Sequence, residues 1–316
     1  MDQFPHPQPL DPNKFRDPSI TALGERRAWV SLRRLETLWF NTGTLCNLTC
    51  GHCYIESSPR NDRLVYLSRE DVRGYLDEIA QSGLPTRLIG FTGGEPFMNR
   101  DIIGMLEDVL VRGFDALVLS NAMQPMRRLR APLLALRDGY GARLTIRVSL
   151  DHYTPEIHEA ERGQRSWGET IEGLVWLARH GFSVNVAGRR FTGEPDEQLR
   201  AGYARLFRAL DVPLDAFDPV RTVVFPEMDA GRDVPEITEA CWGILQKSPD
   251  DVMCASSRMV VKRKGAEHPT VLACTLLAYD PQFELGRTLA DAVRAVPLNH
   301  PHCASFCVLG GAACSR

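Results

Sequence analysis

The chain has 316 residues, 44% of them hydrophobic and 24% charged, which is the composition of a globular protein with one large or two medium domains. Lys and Arg total 37 against 40 Asp and Glu, and the net charge of −3 excludes a general electrostatic basis for nucleic-acid binding. We find no apolar run long enough to span a bilayer and no apolar region of a signal peptide near the start. We therefore expect a cytoplasmic protein without nucleic-acid or membrane partners.

The nine cysteines are unevenly distributed. Three lie within residues 46–53 and five within the last 63 residues, whereas a disulfide scaffold spreads pairs through a short secreted chain. This clustering predicts metal binding. The isolated Cys241 is interpreted as a small packing residue.

Residues 1–35 form a Pro-rich segment that we predict to be an N-terminal arm, on the surface up to about residue 30. From 36 to 226, strand-like and helix-like segments alternate. The predicted strands are Thr37–Asn41, Arg87–Thr92, Ala116–Ser120, Leu144–Leu150, Phe182–Ala187 and Thr222–Phe225. The predicted helices are Ser68–Ser82, Asp101–Arg112, Met126–Leu136, Glu169–His180 and Asp196–Leu210. The alternation predicts an α/β protein of parallel βα units, with its chemistry at the carboxyl ends of the strands.

After residue 226 this rhythm changes. A predicted helix, Glu236–Lys247, precedes an apolar and basic run, Arg258–Lys264, and then loops that carry most of the remaining cysteines. We predict a second, smaller domain over residues 227–316.

The first cysteine group, Cys46-x3-Cys50-x2-Cys53, directly follows the first predicted strand. Structural zinc takes four protein ligands, and His52 is a candidate fourth ligand. A [4Fe–4S] cluster takes one thiolate per iron, so three cysteines leave one iron open to another ligand. With Tyr54 after it, the group resembles the cluster loop of radical S-adenosylmethionine (SAM) enzymes.

Gly93-Gly94-Glu95-Pro96 follows the second predicted strand. Its glycines permit close backbone approach, and its carboxylate accepts hydrogen bonds from an ammonium group. Alone, this sequence is compatible with a plain turn. It resembles the radical SAM motif that holds the methionine amino group, which implies that role for Gly93, Gly94 and Glu95.

Ser120 and Asn121 end the third strand, in a stretch similar to the Thr-Asn-Gly of many radical SAM enzymes. The resemblance implies hydrogen bonds to the ribose or carboxylate of SAM. A polar strand end without a ligand is the alternative interpretation.

The fourth strand leads through Ser149 and Asp151 to His158 and Arg162. This pattern resembles that of the branch containing the molybdenum-cofactor cyclase and the sulfatase-maturing enzymes, although His152 replaces the usual glycine. The resemblance implies that Ser149 and Arg162 approach SAM, while Asp151 and His158 either take part or fix the loop.

At the end of the fifth strand, Arg189 and Arg190 are candidates to bind an acidic group of the substrate, or belong to a solvated rim.

The cysteines of the C-terminal region resemble the ligands of a Twitch or SPASM auxiliary-cluster extension. The resemblance implies Cys254, Cys274, Cys303 and Cys307 as ligands of one auxiliary [4Fe–4S] cluster, with Cys314 as a possible replacement. A zinc site is the alternative.

Taken together, the resemblance implies a partial (β/α)6 TIM-like barrel over residues 36–226 with a small C-terminal iron–sulfur domain. It also implies reductive cleavage of SAM to a 5′-deoxyadenosyl radical, which abstracts hydrogen from a small molecule or short peptide. The auxiliary cluster would accept an electron from the product or, alternatively, bind the substrate through an open iron. A flavodoxin- or ferredoxin-type protein would donate an electron to the first cluster. The sequence assigns no further catalytic residue, and a non-catalytic iron–sulfur sensor or scaffold is the alternative.

Overall fold

The computed structural model describes residues 8–190 and 192–311. Within them, a nine-stranded, mostly parallel sheet forms the centre of the molecule. The strands of the chain are β1 (Trp29–Val30), β2 (Thr37–Asn41), β3 (Leu88–Thr92), β4 (Asp115–Ser120), β5 (Leu144–Ser149), β6 (Ser183–Arg190), β7 (Thr222–Pro226), β8 (Ser257–Val261), β9 (Thr270–Leu272), β10 (Glu284–Gly286) and β11 (Val296–Pro297). The order in the large sheet is β10-β9-β8-β2-β3-β4-β5-β6-β7, and β1 pairs separately with β11.

Helices connect the parallel strands β2 to β7. They are α1 (Arg69–Ser82), α2 (Ile102–Val111), α3 (Gln124–Arg127), α4 (Arg130–Tyr140), α5 (Pro155–Arg162), α6 (Ser166–Arg179) and α7 (Asp196–Ala209), and α8 (Cys241–Leu245) follows β7. Every residue of β2 is buried, as expected for a strand covered on both faces. The predicted α/β fold with parallel βα units is confirmed.

The C-terminal region continues the same sheet. β8 pairs in parallel with β2, with Thr37 opposite Ser257, and β9 and β10 follow in antiparallel pairing. A domain boundary near residue 226 stays a prediction.

Two predicted helices differ from the structure. The helix predicted over Met126–Leu136 is two helices, α3 and α4, because Pro132 has no N–H and its ring would clash with the carbonyl of Arg128 in a continuous helix. The helix predicted over Glu236–Lys247 is only α8, since its first residues are extended along the N-terminal segment: the Ala28 amide donates to the Ile237 carbonyl at 2.8 Å.

The N-terminal segment is not confined to the surface. Arg27, Ala28 and Val30 are buried, and the Arg27 guanidinium lies 2.5 Å from the Glu236 carboxylate. In the described part of the chain, no helix is both long and apolar enough to cross a bilayer.

Candidate functional site

A cavity that is partly open to solvent lies at the carboxyl ends of the parallel strands. The predicted site residues that line it are Cys46, Cys50, Cys53, Gly94, Ser120, Asn121, Ser149 and Arg162. Gly93 and Glu95 do not line the cavity. They are the sequence neighbours of Gly94, and Glu95 is buried, with 1% of its surface exposed. Topology brings these residues together, because the ends of neighbouring parallel strands meet at one edge of the sheet.

The three cysteines of the loop after β2 lie at the rim of this cavity. Burial raises the pKa of Cys46 to about 12 and raises that of Cys50, and the proximity of Cys53 adds to both increases. The amides of Leu48 and Ser57 donate to the sulfur atoms of Cys46 and Cys53, at 3.4 and 3.3 Å. The thiols of Cys46 and Cys50 are therefore protonated when no metal is bound, and iron ligation would displace their protons.

The two glycines after β3 pack against the beginning of the cysteine loop. A Cβ atom on Gly94 would lie 2.1 Å from the Leu45 carbonyl oxygen, and one on Gly93, where φ is +138°, would lie 2.5 Å from that of Gly43. The Gly94 and Glu95 amides donate to these same two carbonyls, at 2.8 and 3.1 Å. The glycines thus allow the two loops to join edge to edge, a requirement separate from ligand approach.

Glu95 lies beneath this junction and is surrounded by hydrogen-bond donors. One carboxylate oxygen accepts from the Ser120 hydroxyl at 2.9 Å and the Phe97 amide at 3.2 Å, and the other accepts from the Asn121 amide at 2.9 Å. Burial nevertheless raises the pKa of Glu95 to about 7, against these donors and the Arg162 charge. A cationic ligand group would restore its negative charge.

The end of β4 connects Glu95 with the cysteine loop. The Asn121 side-chain amide donates to the Asn47 oxygen at 2.9 Å. Ala122, at the position of the glycine in Thr-Asn-Gly, keeps a positive φ of 58° and is fully buried. The departure from the motif therefore preserves the left-handed turn, at a modest conformational cost.

Arg162 and Asp151 form a largely buried, two-pronged ion pair. Nε and Nη2 of Arg162 donate to the two carboxylate oxygens at 2.6 and 3.2 Å, and both residues line the cavity. The guanidinium also interacts with the charge of Cys50. Ser149 lines the cavity at the end of β5.

Glu161, which the sequence analysis did not identify, connects three parts of the site. Its carboxylate, 4% exposed, accepts from the His52 amide at 2.8 Å, lies 2.7 Å from the His52 ring Nδ1, and pairs with Arg189 at 2.6 Å. Its own carbonyl accepts from the Gly51 amide at 2.9 Å. A signal was present: Glu161 lies three residues after His158, on the buried face of α5.

The remaining candidates lie around this core. Arg189 lines the cavity, whereas Arg190 pairs with Asp196 and does not. His158 is fully buried, lies outside the cavity lining, and has no hydrogen-bond partner among the described residues. Burial lowers the pKa of His158 to about 4, so its ring is neutral at pH 7. The ring packs edge-on against Trp167.

Three C-terminal cysteines also lie close together. Cys254 and Cys274 lie near the Cys303 thiol, and burial raises the pKa of Cys254 to about 11. Cys303 begins a π-helical segment, Cys303–Leu309, and Cys307 follows almost one turn later. Cys314 lies outside the described residues.

The two cysteine groups lie at opposite ends of β2. Cys254 precedes β8, whose first residue pairs with the first residue of β2, whereas Cys46 follows the last residue of β2. Five residues of strand span roughly 13 Å. Leu276 and Phe306, on the segments that carry Cys274 and Cys303, line the same cavity as Cys46.

Within residues 8–190 and 192–311, no three His, Cys, Asp or Glu side chains are grouped so that they could hold a single metal ion. His52 itself is engaged by Glu161.

Comparison with curated proteins finds partial relatives. The chain is 33% identical over 143 residues to the antilisterial bacteriocin subtilosin biosynthesis protein AlbA of Bacillus subtilis, covering 45% of this chain and 30% of AlbA. It is 27% identical over 177 residues to a GTP 3′,8-cyclase of Aeromonas hydrophila, covering 54% of this chain and 49% of the cyclase. The chain thus spans less than half the length of these relatives.

Solved structures share the fold at low identity. Streptococcus suis SuiB bound to the precursor peptide SuiA matches with a TM-score of 0.59 and 13% identity, over 81% of this chain and 63% of SuiB. The structure of anSMEcpe with bound AdoMet matches with a TM-score of 0.58 and 13% identity, over 81% of this chain and 79% of anSMEcpe.

The family model described as the radical SAM superfamily matches residues 40–201, just over half of the chain. The matched range contains the cysteine loop, the two-glycine motif and Arg162. The chain therefore belongs to the radical SAM superfamily, a family of enzymes that use a [4Fe–4S] cluster and S-adenosylmethionine.

Proposed function

We propose that this protein cleaves SAM reductively and abstracts hydrogen from a carbon of a peptide substrate, with a second iron–sulfur cluster as the electron acceptor. The observation that carries the proposal is the cavity itself: Cys46, Cys50 and Cys53 line it together with Leu276 and Phe306, from the segments that bear the C-terminal cysteines. A substrate in this cavity would lie beside the first cysteine group and against the segments that carry the second.

The residues of the first site fit the cofactor pair. Three thiols leave one iron of a [4Fe–4S] cluster without a protein ligand. The Glu95 carboxylate suits an ammonium group, and the Arg162 guanidinium, held in orientation by Asp151, suits a carboxylate. When bound, the cluster and SAM would supply a 5′-deoxyadenosyl radical, the chemistry that a protein side chain lacks.

The chain's own contribution is to bind, orient and exclude water. Glu161 and Asn121 hold the cysteine loop from two sides, through His52 and Asn47 respectively. The apolar side chains of Phe225, Leu276 and Phe306 line the remaining cavity and limit the access of water to a radical.

A peptide substrate is supported by two similar proteins. AlbA is described as a bacteriocin biosynthesis protein, and SuiB was solved with a precursor peptide. A small molecule, as for the GTP cyclase, is the alternative substrate class. We further propose that a flavodoxin- or ferredoxin-type protein reduces the first cluster.

Anaerobic reconstitution followed by dithionite and SAM tests the proposal. We expect brown protein with about eight irons per chain, as two [4Fe–4S] clusters require, and formation of 5′-deoxyadenosine. Fully loaded protein that forms no 5′-deoxyadenosine would favour a sensor or scaffold instead. A content of about four irons and one zinc per chain would indicate that the C-terminal cysteines bind zinc instead of an auxiliary cluster.

Replacing Cys46, Cys50 and Cys53 together by Ala should leave about four irons per chain and abolish 5′-deoxyadenosine formation, because only the C-terminal group then binds a cluster. Cys241→Ala is the matched control and should retain both, since Cys241 contacts Thr238 and lies outside both cysteine groups. SAM cleavage by the triple variant would contradict the assignment of the first site.

A further inference from the structure

Arg258, the second residue of β8, is a buried cation whose hydrogen-bond partners are backbone carbonyls. It is 1% exposed, and its guanidinium donates only to backbone carbonyls: Cys254 at 2.6 Å, Ser257 at 2.8 Å, Ala292 at 2.9 Å and Arg294 at 3.3 Å. Among the described residues, no carboxylate is a hydrogen-bond or ion-pair partner of Arg258.

Two other buried arginines of the chain, Arg27 and Arg162, are paired with acids. Arg27, equally buried, contacts the Glu236 carboxylate, and Arg162 forms its two-pronged pair with Asp151. This pairing is the general rule, because a charge removed from water is costly unless an opposite charge compensates it. Carbonyl dipoles solvate Arg258 but leave its net charge uncompensated.

The Arg258 guanidinium lies against the backbone of Cys254, because its Nη1 donates to the Cys254 carbonyl at 2.6 Å. Cys254 and Cys274 in turn both lie near the buried Cys303 thiol. The missing negative charge is therefore expected at this cysteine group, and thiolates bound to iron would supply it.

We propose that Arg258 is the counter-cation of an iron–sulfur cluster bound by Cys254, Cys274, Cys303 and Cys307, and that its charge raises the cluster's reduction potential. This inference rests on the proposed function. Reduction adds one electron to the cluster, and a nearby buried cation favours the more negative state. Arg258 is thus a positioning residue that makes the cluster a better acceptor of the single electron released when a product radical is oxidised.

The test uses full-length protein in which Cys46, Cys50 and Cys53 are replaced by Ala, so that only the C-terminal cluster contributes a signal. An EPR-monitored redox titration then compares the reduction potential of this cluster in the parent protein with that in the variants Arg258→Met, Arg258→Gln and Arg258→Lys. We expect a lower reduction potential in the Met and Gln variants and a potential near that of the parent in the Lys variant, which keeps the charge. Arg143→Met is the matched control, because Arg143 also donates to two backbone carbonyls, those of Leu110 and Phe114.

Thermal unfolding separates this role from a purely structural one. Loss of the carbonyl contacts should lower the melting temperature of all three Arg258 variants, whereas only the two neutral variants should shift the potential. The inference is overturned if the neutral variants keep the parent potential, or if the Lys variant shifts as far as they do. If the Met variant does not fold, the Gln and Lys variants still decide between these results. Absence of any cluster from the parent protein would instead overturn the auxiliary-cluster part of the proposed function.

Discussion

At the scale of single residues, Glu95 combines an acidic side chain with complete burial. Three donors, Ser120, Phe97 and Asn121, stabilise its charge, yet burial outweighs them and raises its pKa from an ordinary value of 4.5 to about 7. The three donors indicate a site that stabilises the charged Glu95 carboxylate. The elevated pKa indicates that a cationic partner of this carboxylate is missing.

This elevated pKa predicts a pH dependence of stability. Between pH 4.5 and 7 Glu95 binds more protons in the folded protein than in the unfolded chain, so its contribution to the free energy of unfolding falls by about 3 kcal/mol as the pH rises. Glu95→Gln should flatten this dependence, which urea unfolding of cluster-free protein at several pH values would measure. The exposed Glu70→Gln is the control and should keep the parent slope. A parent slope in Glu95→Gln would contradict the prediction.

At the scale of elements, the cysteine loop is held by side chains from its neighbours and not by its own hydrogen bonds alone. Glu161 on α5 contacts it through His52 and Gly51, and also reaches Arg189 on β6. One buried carboxylate therefore couples a loop, a helix and a strand.

Removing that carboxylate should loosen the first cluster site. A hydrogen bond to a charged group contributes about 1.5–3 kcal/mol, so Glu161→Ala should speed the anaerobic loss of iron to a chelator by about tenfold or more, and Glu161→Gln by less. Glu156→Ala, an exposed position on the same helix, provides the control. Equal rates for the variants at 156 and 161 would show that Glu161 does not hold the loop.

At the scale of the whole molecule, the two cysteine groups lie towards opposite ends of β2, and Leu276 and Phe306 of the C-terminal region line the cavity of the first group. The C-terminal group includes Cys307, almost one π-helical turn after Cys303. This relation favours Cys307 over Cys314 as the fourth ligand.

The prediction is tested by iron analysis of two single variants. Cys307→Ala should lose about four irons per chain, because three thiolates retain the second cluster poorly, whereas Cys314→Ala should keep about eight. The reverse pattern would make Cys314 the ligand.

Sequence patterns predicted the structure correctly in some regions of the chain and wrongly in others. The spacing of Cys46, Cys50 and Cys53 and the alternation of strands and helices are local features, so both the family and the parallel sheet were predictable. Local patterns gave a wrong prediction where a distant segment supplies the backbone hydrogen bonds. Residues 236–239 follow a helical pattern but pair with residues 26–28.

The sequence by itself determined the cofactor chemistry of this protein, because cysteine spacing and the strand-end motifs are properties of short segments. Only the tertiary structure decided which charges meet. Glu161 reaches the cysteine loop from 109 positions away, and Arg258 meets carbonyls of Ala292 and Arg294 with no carboxylate partner among the described residues. The physical reason is that charge compensation depends on burial and distance, which arise only when remote segments pack together.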